Sequence, residues 1–139
     1  MKKLSVIMIV GAVAAVSLAL YMIFIRASEP VTSGGAIVAV QVPPLNTAER
    51  AGEAAYTAYC ASCHGSSAAG KDGVAPPLVH RLYEPGHHGD QAFLVAAQLG
   101  VRAHHWPFGD MPPVAGISTS EVESILVYVR ALQRANGIE

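Results

Sequence analysis

Cys60-Ala61-Ser62-Cys63-His64 reads C-x-x-C-H, the pattern of covalent c-type haem attachment. Each residue type has a chemical reason to be there. Two thiols one short turn apart can add across the two vinyl groups of a haem and tether it through thioethers. The His that follows at once is then placed under the porphyrin plane, where its imidazole binds the iron as proximal ligand. The competing reading of two nearby cysteines is a disulfide or a thioredoxin-like redox pair. A redox pair asks for a βαβ context, whereas the residues around Cys60 follow a helical pattern. Nothing in dithiol chemistry asks for His64. The chain has 2 cysteines in all, so there is no disulfide framework and at most one covalent haem per chain.

Working outward, the 139 residues suit one small domain plus an appendage. A formal charge of -1 gives no basic footprint for nucleic acid. The hydrophobic share of 52% is high for a soluble domain, and the first segment accounts for much of it. After Met1-Lys2-Lys3, no charge appears from Leu4 to Ile25. That run would span about 33 Å as a helix at about 1.5 Å per residue, close to the hydrocarbon thickness of a bilayer. A cleaved signal peptide would have a shorter apolar region and a small-residue cleavage site. Here the run ends in Tyr21-Met22-Ile23-Phe24-Ile25-Arg26 with no clear A-x-A site. Residues 1–26 are therefore expected to be an uncleaved transmembrane anchor. Lys2 and Lys3 place its start in the cytoplasm, and the rest of the chain on the periplasmic side of the cytoplasmic membrane. Residues 27–45 carry Pro30, Gly34, Gly35, Pro43 and Pro44 without a helical period. Ala36–Val40 has the composition of a short strand, but a linker is the simpler reading.

The domain is expected over 46–139, and it reads as all-α. Asn46 with Glu49 makes a capping box, and Ala48, Ala51, Ala55, Tyr56 and Tyr59 form an apolar face leading into the Cys motif. Gly52 inside this helix costs about 1 kcal/mol relative to Ala, which points to a close neighbour there. Residues 65–89 are rich in Gly and Pro and read as loop. Asp90 is expected to cap a helix from Gln91 to Leu99 that buries Phe93, Leu94 and Ala97 and is closed by Gly100. A second irregular stretch ends in Gly109-Asp110-Met111-Pro112-Pro113-Val114. Ser118 with Glu121 then caps a last helix, with Val122, Ile125, Leu126, Val129 and Leu132 on one face and Asn136-Gly137 at its end.

With these residues in place, 46–137 resembles the class I cytochromes c, in the manner of bacterial membrane-anchored, mono-haem members. Gly52 and Tyr56 precede Cys60 as in that family's first helix. Pro76 and Leu78 are similar to its Pro-x-Leu turn, in which the Pro carbonyl accepts the second ring N–H of the proximal His. Met111 lies in a segment like the loop that supplies the distal iron ligand. Ile125 and Tyr128 match the apolar–aromatic pair of a last helix that crosses the first at its Gly. The resemblance implies helices packed around one haem c, with Cys60, Cys63, His64, Pro76, Leu78, Met111 and Tyr128 at the cofactor and His64 and Met111 on the iron. Two departures stand out. Trp106 is five residues before Met111, unlike the Trp of mitochondrial members, and the pairs His87-His88 and His104-His105 are not part of the pattern.

A thioether favours ferrous iron and raises the potential relative to two His ligands. Pro112 and Pro113 would stiffen the loop that carries it. His80, His87, His88, His104 and His105 are rivals for the distal position, although adjacent His pairs in loops are more often exposed polar residues. Trp106 and Phe108 are expected to pack on the haem edge or to mark a docking face.

With both axial positions filled, the chain reads as an electron carrier and not an enzyme. It would exchange single electrons with membrane redox complexes, such as a quinol-oxidising complex and a terminal oxidase or reaction centre, and would take no small-molecule substrate. A fixed haem subunit of a larger oxidoreductase is the alternative. The apolar segment has no G-x-x-x-G pattern and no charge, which favours a plain tether. A sensor or peroxidase with an open sixth site is the third reading, and Met111 argues against it.

The anchor reading predicts that the mature chain keeps Met1 and fractionates with membranes. Intact mass of the native protein checks this, and a mature chain starting near Ala27 in the soluble fraction would refute it.

Overall fold

Asn46 starts the first helix by exchanging two hydrogen bonds with Glu49. Its side chain accepts from the Glu49 amide at 3.0 Å, and its own amide donates to the Glu49 carboxylate at 2.8 Å. Two amides that the first turn leaves without partners are satisfied in this way. Helix α1 then runs Thr47–Tyr59. A short helix α2, Ala61–His64, follows across Cys60. Helix α3 is Asp90–Leu99 and helix α4 is Thr119–Ala135. Ser118 and Glu121 cap α4 as Asn46 and Glu49 cap α1. Short 3-10 turns at Ser66–Ala68 and Arg81–Tyr83 interrupt the loops. The all-α expectation holds: among the described residues there is no strand, only isolated bridges between Lys71 and Ala75 and between Val101 and Met111.

The structure, a computed structural model, describes residues 16–18, 20, 21 and 34–139. Val16 to Leu18, Leu20 and Tyr21 are helical and exposed. The rest of the anchor expected over 1–26 lies outside the described residues, as does the start of the linker. Among the described residues no helix is long and apolar enough to cross a membrane.

The second half of the expected linker is not a free tether. The Ile37 and Val38 amides both donate to the Ala69 carbonyl at 3.1 Å. Gln41 and the Asn136 side chain exchange two hydrogen bonds, each 2.9 Å. Val40 and Leu45 pack on the core. This stretch pairs with no strand, and its backbone bonds run to the Ala69 carbonyl, the Asp72 amide and the side chains of Arg50 and Asn136.

Helix α3 starts differently from expectation. Gly89 occupies the capping position, with no side-chain bond, and Asp90 lies inside the first turn. The Asp90 carboxylate is engaged elsewhere, by Nε of Arg130 at 2.9 Å. A charge-assisted bond to a guanidinium outcompetes a local bond to a backbone amide, and an acid in the first turn still favours the helix dipole. Of the face expected to be buried, Ala97 is buried while Phe93 and Leu94 are half-buried beside Val122 and Leu126.

The core forms where α1 crosses α4. Tyr56, Ile125, Tyr128, Val129 and Leu132 are buried there, with Leu78 and Val79 from the loop between. Gly52 permits the crossing. A Cβ at Gly52 would sit 2.1 Å from the Ser124 carbonyl oxygen and 2.9 Å from Cβ of Tyr128. The first of these is backbone, so no rotamer change relieves it. In Gly52→Ala, a helix-propensity gain of about 1 kcal/mol is outweighed by separation of the two helices. We expect a net loss of about 1–3 kcal/mol in denaturant unfolding of the haem-loaded protein. An unchanged or higher midpoint would show that the helices do not meet at this residue.

Candidate haem site

The Cys motif lies where α1 hands over to α2. The Cys60 amide donates to the Tyr56 carbonyl at 2.8 Å, and the His64 amide donates to the Cys60 carbonyl at 2.9 Å. One turn of helix therefore carries both sulfurs and the imidazole. Cys60 is half-buried, Cys63 is exposed, and the two are free thiols. Burial, with Cys63 beside it, pushes the Cys60 thiol up to about 11. Cys60 is accordingly held as a neutral thiol, not as the thiolate that metal ligation or rapid disulfide exchange needs.

His64 is buried, 8% exposed. Its Nδ1 lies 2.9 Å from the Pro76 carbonyl oxygen. A carbonyl can only accept, so Nδ1 carries the proton and Nε2 keeps its lone pair. Burial lowers the His64 pKa, opposed in part by the bond to Pro76. A neutral ring, oriented by a backbone acceptor on its far nitrogen, is the form in which a His binds a metal. The backbone is fixed as well, because the His64 carbonyl accepts from the Gly70 amide at 2.8 Å.

The turn that brings Pro76 to His64 is strained. Ser67 and Ala68 have φ of 53° and 57°, the left-handed region that non-glycine residues avoid at a cost of order 1–2 kcal/mol each. The strain turns the Ala68 carbonyl to accept from both Leu78 (2.9 Å) and Val79 (3.2 Å). Those bonds hold the Pro76–Leu78 turn against the Cys motif. Strain that persists because its surroundings enforce it is common at functional sites.

Tyr56 braces the same turn from α1. Its hydroxyl donates to the Gly65 carbonyl at 2.8 Å, and its ring packs at a tilt on Tyr128, centroids 5.6 Å apart. His64 and Pro76 are thus joined directly, as expected. Tyr128 and Leu78 reach them through Tyr56 and Ala68.

Met111 is held by a different set of contacts. Its backbone pairs both ways with Val101 at 2.9 Å. Gly100 lets this segment cross the end of α3: with φ of +78°, its missing Cβ would sit 2.6 Å from the Met111 carbonyl oxygen. The Val114 amide donates to the Ala97 carbonyl at 2.8 Å, and the Asp110 carboxylate accepts from Ala103 at 2.8 Å. The Gly109–Val114 segment is therefore fixed on both sides of Met111, whose side chain is half-buried.

These residues fit a covalently bound porphyrin. Two unpaired thiols and a neutral imidazole with a free Nε2 form the donor set that attachment and ligation require. A further observation points the same way. Trp106 Nε1 is buried and makes no hydrogen bond of normal geometry among the described residues, although the Tyr83 side chain lies near it, and the carboxylates at a porphyrin edge would be acceptors for it. Trp106 also stacks on Phe108, centroids 5.8 Å apart and planes 10° from parallel.

Sequence reasoning missed Arg130 and Gln133. Both are buried polar residues on the core side of α4. Arg130 donates to the carbonyls of Tyr83 and His88, each at 2.7 Å, and to the Gln133 side chain at 2.6 Å. Gln133 donates to the carbonyls of Leu78 (2.8 Å) and Tyr83 (3.0 Å). The signal was present in the spacing. Arg130 follows Leu126 by four and Gln133 follows Val129 by four, so both fall on the apolar face.

A family model described as cytochrome c oxidase, cbb3-type, subunit III matches residues 47–129. No curated protein and no solved structure matches the chain.

Tyr56→Phe should separate packing from hydrogen bonding at this site. The ring stays against Tyr128, while the Gly65 carbonyl loses its donor. The expected cost is about 1–3 kcal/mol in unfolding, with haem attachment and iron ligation unchanged in the absorption spectrum. Unaltered stability would show that the Gly65 bond contributes nothing.

Proposed function

The chain belongs to the cbb3-type cytochrome c oxidase subunit III family, whose fold is that of class I cytochromes c, and from that premise we propose that it is a membrane-tethered, mono-haem protein passing single electrons to a membrane-bound terminal oxidase. The chain carries one haem c through Cys60 and Cys63, and a haem-containing domain of this family transfers electrons. The observation that carries the reading is the His64 geometry: a buried imidazole, aimed by the Pro76 carbonyl, immediately after two free thiols.

Haem iron, when bound, supplies a ferric/ferrous couple. The protein's own residues do the rest. Cys60 and Cys63 make attachment permanent, so the cofactor is not lost between partners. His64 is held neutral and in one orientation, so ligation persists in both oxidation states. Met111 would be the second iron ligand in this reading: its thioether would favour the ferrous form, and its fixed segment would keep other molecules from the iron. The chain then has no site at which a substrate bond is made or broken. Residues 1–26 hold the domain on the extracytoplasmic face of the cytoplasmic membrane by a single pass, within reach of its donor and acceptor complexes.

A second reading is that of a fixed haem subunit within an oxidase. The family description, which names a subunit of an oxidase, favours it. Purification from mild detergent separates the two. A free carrier runs alone, and a fixed subunit retains oxidase polypeptides through size exclusion.

Met111→Ala tests the closed iron. The ferric wild type should show the weak long-wavelength charge-transfer band of thioether ligation, and the variant should lose it. Its potential should fall because the soft ligand is gone, and the reduced form should bind carbon monoxide. Attachment should survive, since Cys60, Cys63 and His64 are untouched. A variant unchanged in band and potential would make Met111 a packing residue and restore the open-site sensor or peroxidase reading.

A further inference from the structure

The two His pairs that fall outside the family pattern come together in space. His87 and His88 follow the 3-10 turn at Arg81–Tyr83, while His104 and His105 precede Trp106 in the segment leading to Met111. One ligand nitrogen from each of His87, His88 and His105 lies within 4.8 Å of the others. The His105 ring is 5.6 Å from His87, 5.5 Å from His88 and 4.2 Å from His104, centroid to centroid.

The cluster is built on supported backbone. His88 Nδ1 is hydrogen-bonded to the Leu82 carbonyl, which leaves Nε2 as the free nitrogen. The His88 carbonyl is itself held by buried Arg130 at 2.7 Å. The His87 and His88 amides both donate to the Glu84 carbonyl, at 3.0 and 2.8 Å. His104 Nδ1 donates to the Arg102 carbonyl at 2.8 Å. A backbone acceptor on one ring nitrogen is the usual way a protein orients a metal-binding His and fixes its tautomer.

We propose that His87, His88 and His105 form a second metal site, separate from the haem, that takes one Zn(II) or Cu(II) ion. Three imidazole nitrogens with no oxygen ligand select late first-row cations and leave Mg(II) and Ca(II) out. Bonds of about 2.0–2.1 Å are reached when the exposed His87 and His105 rings close on His88. The fourth position falls to water or to His104. The bound ion ties the 84–89 loop to the segment that ends in Met111, two stretches that share no helix. This site stands on its own contacts and does not depend on the haem or carrier reading.

The test uses full-length, haem-loaded protein in detergent, purified without a polyhistidine tag and cleared of metal with a chelator. Calorimetric titration with zinc and copper salts should give one saturable site per chain, and magnesium should give none. Thermal unfolding should shift upward with zinc. His105→Ala and His87→Ala, both at exposed positions, should each weaken binding by about tenfold or more. His80→Ala lies outside the trio and should leave the affinity unchanged. The proposal is overturned if no stoichiometric binding is seen below about millimolar ion, since that is the affinity of adventitious surface contacts. It is equally overturned if magnesium binds as well, or if His105→Ala and His87→Ala both keep full affinity. Loss or change of the haem ligation band in either variant would make these histidines iron ligands, and that also ends the second-site reading.

Discussion

The close approach of α1 to α4 at Gly52 is the constraint on which the rest of the domain depends. A single missing Cβ lets the Ser124 carbonyl sit where a side chain would be. That distance fixes where Tyr56, one turn on, meets Tyr128. Tyr56 in turn bonds the carbonyl next to His64. A choice of side-chain volume in the packing thus becomes a placement of the imidazole in the site. The capping boxes at Asn46 and Ser118 matter for the same reason. They define where each helix begins, and therefore which residues arrive at the crossing.

The loops around the site are held by two different physical devices. From Gly65 to Leu78 the chain is pinned by backbone bonds, with left-handed Ser67 and Ala68 turning one carbonyl toward two amides. Beyond Val79 backbone bonds close only short local turns, and side chains from α4 anchor those turns to the core. Gln133 reaches the Leu78 carbonyl and Arg130 the carbonyls of Tyr83 and His88. The proximal side of the site therefore rests on local geometry, and the His87–His88 loop rests on a helix more than 40 residues away in sequence.

That division explains what was legible in the sequence. The Cys motif, both capping boxes, the apolar face of α4 and the meaning of Gly52 are local or periodic signals, and each is found where it was read. The Pro76 carbonyl on His64 followed from resemblance and is present in the geometry. Contacts between distant residues left no such trace. Gln41 and Asn136 are 95 positions apart, so a segment docked on the domain read as linker. Asp90 looked like a cap because its partner, Arg130, is 40 positions away. The histidine pairs read as ordinary exposed residues because seventeen positions separate His88 from His105, and no period links the loops that carry them.

Arg130 shows why a buried cation is retained on an otherwise apolar helix face. Its ion pair with Asp90 is a weak reason, since the Asp90 side chain is 65% exposed and such pairs are worth about 0–1 kcal/mol. The stronger reason is the set of carbonyls that converge on it. The Arg81–Tyr83 turn and the His87–His88 loop direct the Tyr83 and His88 oxygens inward. An apolar residue at 130 would leave the Tyr83 carbonyl with Gln133 alone and the His88 carbonyl without its donor, at about 1–3 kcal/mol for a carbonyl left unpaired and shut off from water. One guanidinium, with its donors fixed in a plane, satisfies both and the Gln133 side chain besides. Its stem covers core surface, and its charge lies 4.9 Å over the Phe93 ring, which adds a favourable cation–π contact. The loop from His80 to Gly89 therefore acquires a fixed shape with only short turns of its own, and residues as far apart as His88 and His105 can be held side by side.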